Sequence, residues 1–190
     1  GLTSVTIGNS VTTIGGSAFN NCTGITSLDF SDSVSMIGQS AFSGCSGIEG
    51  ELDLPAELLT IGNYAFRGCI GLIGDLIIPG KVSEIGEYAF YNCTGITEIK
   101  VPNNVVSIGR YAFYNTNPVN MELPFIGIQR DAVKECDRTF GSIFGVNYYE
   151  NSSNTYTYVP KTIKTVKITD ATIVSKYAFY KCSWIEKIEI

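Results

Sequence analysis

Apolar positions recur along this chain in one compound unit. Each unit opens on an in-out-in triplet: Val5-Thr6-Ile7, Leu28-Asp29-Phe30, Leu52-Asp53-Leu54, Leu76-Ile77-Ile78, Ile99-Lys100-Val101, Met121-Glu122-Leu123, Val166-Lys167-Ile168 and Ile188-Glu189-Ile190. Alternation over so few residues predicts a short half-buried strand. A second apolar pair follows, three residues apart: Val11/Ile14, Val34/Ile37, Leu58/Ile61, Val82/Ile85 and Val105/Ile108. Then come a glycine, an Ala-Phe pair expected to enter a short helical turn, and in most units a cysteine. The glycine is expected to permit a backbone turn that a Cβ would hinder. The phenylalanines stand at 19, 42, 66, 90 and 113, in steps of 23 or 24. A fixed step of that size predicts a solenoid, each repeat making one coil and its strand pairing in parallel with the next. The fold class expected is α/β, with one parallel sheet on one side and short helical turns on the other.

The rhythm breaks after Pro124. Met121 and Val166 are 45 residues apart, close to two repeats, so a strand in phase is expected near Phe144. The stretch Gln129–Thr139 is charged and predicts a helix. The stretch Asn147–Tyr158 is rich in Tyr, Asn, Ser and Thr and predicts a long loop or hairpin. The organisation expected is a single solenoid over 1–190, a fragment of a longer array, with an irregular repeat or insertion at 125–159.

Charge narrows the function. Formal net charge is −5 and the pI is near 4.7, which argues against a nucleic-acid partner, since that needs a basic footprint. No apolar run reaches the roughly 18 residues of a spanning helix, so no direct membrane insertion is expected. The chain has no histidine, which removes His-dependent catalysis and His-containing metal sites. Of the six cysteines, Cys22, Cys45, Cys69, Cys93 and Cys182 share one phase of the repeat. Stacked coils would align them as a ladder of reduced, buried thiols.

The repeated pattern Leu-x-x-Ile-x-Leu/Ile-Pro, then Val-x-x-Ile-Gly-x-x-Ala-Phe-x-x-Cys, resembles the Treponema-type leucine-rich repeat of the BspA-like surface proteins. It covers 1–124 and 160–190. The resemblance implies a right-handed, horseshoe-like solenoid on a cell surface, or secreted, that adheres to extracellular or host-surface proteins.

Side chains that stacking does not need are the candidates for such contacts. They are the outward strand residues Asp29, Asp53, Ile77, Lys100, Glu122 and Lys167, and the loop tyrosines Tyr148, Tyr149, Tyr156 and Tyr158. The strand row reads as a charge-graded face. Tyr64, Tyr88, Tyr111 and Tyr177 before the Ala-Phe pairs, and Tyr91, Tyr114 and Tyr180 after them, are expected to form ladders that stabilise the coil. An enzyme is not expected, because carboxylates such as Asp29 and Asp53 on a flat sheet have no pocket to shift their pKa values. No cofactor or metal is implied, and a monomer is expected. The alternative is a structural spacer that displays another domain and has no ligand of its own.

Overall fold

The structure, a computed structural model, describes residues 1–130, 139–145 and 159–190. It is a parallel β-solenoid whose coils present three walls around one continuous core. The strand wall holds β1 (Ser4–Thr6) paired with β3 (Ser27–Asp29), and a five-stranded sheet ordered β12-β11-β10-β8-β6. Its members are β6 (Ile73–Ile77), β8 (Gly95–Lys100), β10 (Asn120–Leu123), β11 (Thr165–Ile168) and β12 (Lys187–Glu189). A second wall is a five-stranded parallel sheet of two-residue strands: β2 (Thr13–Ile14), β4 (Met36–Ile37), β5 (Thr60–Ile61), β7 (Glu84–Ile85) and β9 (Ser107–Ile108). The expected single sheet is therefore corrected to two walls of sheet. The second wall comes from the apolar pair of each unit, whose isoleucine points inward while the preceding residue faces out.

The third wall corrects the expected helical turns. Here the N–H groups alternate between two kinds of partner. Ala41, Ser43 and Cys45 bond back to Gly38, Ser40 and Phe42 within the coil, whereas Ser40, Phe42 and Gly44 donate to Asn63, Ala65 and Arg67 of the next coil. A helix is impossible because two positions per coil are left-handed, for example Tyr64 at φ 60° with Gly68 at 75°, and Tyr88 at 57° with Asn92 at 62°. These two sets alternate along each coil, so the wall behaves as a ladder of stacked turns. All its rungs run from N–H of one coil to C=O of the following one, from Ser17→Gln39 through Phe140→Ala178.

Inside, identical residues form columns. The rings of Phe19, Phe42, Phe66, Phe90 and Phe113 stack at centroid distances of 5.2, 5.4, 5.5 and 5.9 Å. Ile37, Ile61, Ile85 and Ile108 make a second buried column. The thiols of Cys45, Cys69 and Cys93 donate to the carbonyls of Phe19, Phe42 and Phe66, each in the preceding coil, at 3.0, 3.2 and 3.2 Å. Thr116 replaces the cysteine and instead donates to Phe113 O of its own coil at 2.7 Å. The five cysteines at this phase are free thiols, and Cys136 lies outside the described residues.

Burial pushes the thiol of Cys93 up to about 12, with a smaller opposing effect from its backbone contact at Cys69, and burial pushes Cys182 up to about 11. Burial raises Cys45 and Cys69 as well. The native state therefore holds these protons where the unfolded chain would release them. Stability from this source is complete below the ordinary thiol pKa of 9.0 and falls as pH rises from there toward 12. Denaturation midpoints should drop between pH 9 and 11. Thiol titration without reductant should find Cys45, Cys69 and Cys93 closed to reagent in the native protein and most of the six open in denaturant. Intact disulfides in the unfolded chain would overturn the ladder.

Two other expectations are corrected. The 45 residues between Met121 and Val166 are one enlarged coil, because β10 pairs directly with β11, Met121 opposite Val166. Among the described residues no strand forms near Phe144. Phe140–Phe144 is a buried 3-10 helix that ends on Gly145 at φ 102°. It occupies the turn wall, taking the N–H of Phe113 on Ile143 O and donating from Phe140 to Ala178 O. Residues 125–130 of the same coil run back along β9, where Gln129 bridges Ser107 in antiparallel sense. Most of the stretch expected to be helical, Gln129–Thr139, lies outside the described residues, as does all of Asn147–Tyr158.

Candidate binding surface

The outward side chains of the strand wall are set by register. Ile77 stands opposite Lys100, Lys100 opposite Glu122, Glu122 opposite Lys167, and Lys167 opposite Glu189. Four of the residues singled out from the sequence thus form one continuous row. A parallel row joins Asp75, Glu98, Asn120, Thr165 and Lys187. The sequence shows these outward residues singly; their pairing into rows depends on a register that skips one residue of β8 beside Gly74/Asp75.

Asp29 is exposed on β3 beside Thr6, in the separate two-stranded sheet. Asp53 is exposed on a stretch that forms no strand, so the strand expected at Leu52–Leu54 is absent. Leu52 and Leu54 nevertheless point into the core. The four loop tyrosines lie outside the described residues.

Electrostatics divide this wall in two. Toward β12 the acids are paired: Glu98 with Lys100 at 2.7 Å, Glu122 with Lys167 at 3.2 Å, Glu186 with Lys164 at 2.7 Å, and Glu189 with Lys187. The hydrogen bond and charge of Glu98 raise the pKa of Lys100, and those of Lys187 lower that of Glu189. Toward β1, Asp29, Glu49, Glu51, Asp53 and Asp75 form no ion pair among the described residues, Asp75 acting on Lys100 only at longer range. The charge gradient expected of this face is therefore a boundary between a self-neutralised half and an unpaired acidic half.

The turn wall carries the tyrosine ladders. Tyr64, Tyr88 and Tyr111 stack at 4.9 and 4.8 Å, and Tyr91 lies over Tyr114 at 4.8 Å, all within 8° of parallel. They are half-buried against one another, and Gly145 closes on Tyr111 and Tyr114. Tyr177 and Tyr180 depart from the column and meet edge to face at 5.4 Å.

One feature has no periodic signal in the sequence. Arg130 reaches Asp170, Asn103 O and the face of the Phe125 ring, and so ties the enlarged coil to the last. A cleft of about 200 Å³ lies beside it, lined by Phe125, Arg130, Asp170 and Ile173. No group of three His, Cys, Asp or Glu side chains suited to a metal occurs among the described residues. Nor is any described helix long and apolar enough to cross a membrane.

A parallel β-solenoid with stacked Ile, Phe and Cys columns and one variable outward row is the class these features define. The chain belongs to the BspA-type leucine-rich repeat family, whose pattern matches in six copies over residues 1–117 and 59–186. Among solved structures it resembles a leucine-rich repeat protein of T. pallidum, with a TM-score of 0.63 at 20% identity over 94% of this chain and 78% of that one. It also resembles a leucine-rich cell surface protein of Faecalibacterium prausnitzii, with a TM-score of 0.57 at 24% identity, over 99% of this chain but 57% of that one. These likenesses concern the fold. No curated protein matches the sequence.

Proposed function

We propose that this chain is an adhesin-like interaction module of a bacterial cell-surface protein, binding extracellular or host proteins through its strand wall. One observation carries the reading. The frame repeats almost unchanged, while the outward positions run Thr6, Asp29, Asp53, Ile77, Lys100, Glu122, Lys167, with no one residue type kept. Stacking demands an inward residue at each neighbouring position and nothing at these, so they are free to encode a partner. The family and the cell-surface relative support the location. The work is binding, by a scaffold that needs no cofactor.

Immobilised extracellular matrix proteins should retain the 190-residue chain. Changing Ile77, Lys100, Glu122 and Lys167 together to serine should weaken retention about tenfold or more while circular dichroism stays unchanged. Undiminished retention would move the contact off this row. Absence of retention on any matrix protein would favour the spacer reading, to which the mutually paired charges near β12 already lend themselves.

A further inference from the structure

The strand wall has a break, and the break coincides with the unpaired acids. In regular coils one rung follows each outward residue: Ile7 N–H to Asp29 O at 2.8 Å, Ile78 N–H to Lys100 O at 2.9 Å, Val101 N–H to Glu122 O at 2.9 Å. The equivalent rungs at the coil between, Phe30 to Asp53 and Leu54 to Ile77, are not made. The backbone N–H and C=O groups of residues 51–54 have no backbone partner among the described residues. The coil is nevertheless held on both sides of this stretch. Glu49 N–H reaches Thr26 O and Ile73 N–H reaches Gly50 O before it; Leu59 N–H reaches Ser35 O and Ser83 N–H reaches Leu59 O after it.

The coil that carries this gap is one residue longer than the first, and Gly50, at φ 87° with open space around it, marks where the extra residue is taken up; the next coil takes up the same surplus at Gly74 and still forms β6. A cleft of about 600 Å³ lies between Glu51, Asp53 and Ala56 on one side and Asp75, Ile77 and Pro79 on the other.

Three demands meet in that cleft. Unmade backbone rungs accept another extended chain, as exposed sheet edges do. Glu51, Asp53 and Asp75 form no ion pair with a described cation, Asp75 acting on Lys100 only at longer range, although every acid further along the wall toward β12 has one. Ile77 is 46% exposed and leaves apolar surface uncovered. Successive side chains of an extended segment alternate in direction, so a segment alternating basic and apolar residues meets all three. We propose that the break at residues 51–54 is the docking site for an extended, lysine- or arginine-rich segment of a partner protein. The segment pairs its backbone with that of 51–54, sets its cations on Glu51, Asp53 and Asp75, and covers Ile77. The inference rests on the reading of the chain as a binding module and names the chemistry of its partner.

The test uses the whole 190-residue chain and a fluorescein-labelled peptide, Lys-Val-Lys-Val-Lys-Val-Lys, followed by fluorescence anisotropy. Two companion peptides carry either N-methyl groups on alternate backbone nitrogens or glutamate in place of lysine. The parent peptide should bind. The N-methylated and acidic forms should bind about tenfold more weakly or worse, as should the parent peptide against a chain carrying both Asp53→Lys and Asp75→Lys. Glu186→Lys, in the self-neutralised half and outside the outward row, should change the affinity less than about twofold. All three side chains are exposed or half-exposed, and circular dichroism checks that each variant folds. Equal binding of the N-methylated peptide would overturn strand pairing. Indifference to Asp53 and Asp75 would overturn the location, and no binding of the parent peptide would overturn the proposal outright. Retention on matrix proteins surviving any of these failures would show that the wider binding reading stands without this site.

Discussion

Replacing Phe66 with alanine should cost about 3–5 kcal/mol of stability, the range for truncating a fully buried phenylalanine. The ring is buried without solvent contact and lies between Phe42 at 5.4 Å and Phe90 at 5.5 Å. Removing it leaves a void that the backbone ladders of the second wall and the turn wall prevent from closing. Coils of a solenoid depend on their neighbours, so the damage should spread. Hydrogen exchange should accelerate at Phe42, Ala65 and Phe90 as well as at the site, and urea melts should read the loss directly. A loss below about 1 kcal/mol would mean that the column does not bear on stability.

Gly86→Ala should be comparably severe, for a reason other than the one the sequence suggests. The glycine after each isoleucine is expected to serve a turn, yet Gly38, Gly62, Gly86 and Gly109 are not among the residues of positive φ. They are required because the previous coil passes too close. A Cβ at Gly86 would stand 2.4 Å from Asn63 N and 2.5 Å from Gly62 C; at Gly109 it would stand 2.2 Å from Glu87 N. These are backbone atoms in a ladder and cannot step aside. The expected loss is about 3 kcal/mol, the upper part of the overpacking range. Gly15, in the first coil, meets nothing within 4 Å, so Gly15→Ala should change the urea midpoint little. Equal effects at Gly15 and Gly86 would refute the stacking explanation.

What the sequence discloses follows from what repeats. Inward residues such as Leu76, Ile85 and Phe90 recur at fixed spacing because each must fill the same cross-section, and all three lie where the spacing places them. The second sheet wall was hidden because its strands are two residues long, and a single inward isoleucine carries no alternation. The turn wall mimics a helix in spacing, Ala-Phe-x-x-Cys. What decides it is left-handed backbone at Tyr64 and Tyr88, positions where the residue type gives no warning. The enlarged coil misled by arithmetic, since 45 residues suit two repeats as well as one. On the candidate surface, the members of the row were legible one by one. Their ion pairs depended on cross-strand register, and the gap at 51–54 has no counterpart in the next coil, which is equally long and carries Gly74 where this one carries Gly50.

The rungs of the turn wall all point one way, and that has an electrical consequence. Peptide dipoles aligned head to tail add, as they do along a helix. The carbonyl end of this sum lies at the Phe19 coil and the N–H end at the Phe179 coil. Side chains reinforce it: residues 1–60 hold six acids and no lysine or arginine, whereas 159–190 hold six lysines against three acids. Along the turn wall, dipoles and charge therefore share one axis and one sense, while second-wall rungs such as Gly62 to Ile37 O and Ser83 to Leu59 O run the other way. A cationic partner diffusing toward this stretch is drawn to its first coils and turned before contact, and the attraction should fade as salt shortens the Debye length below the length of the stack.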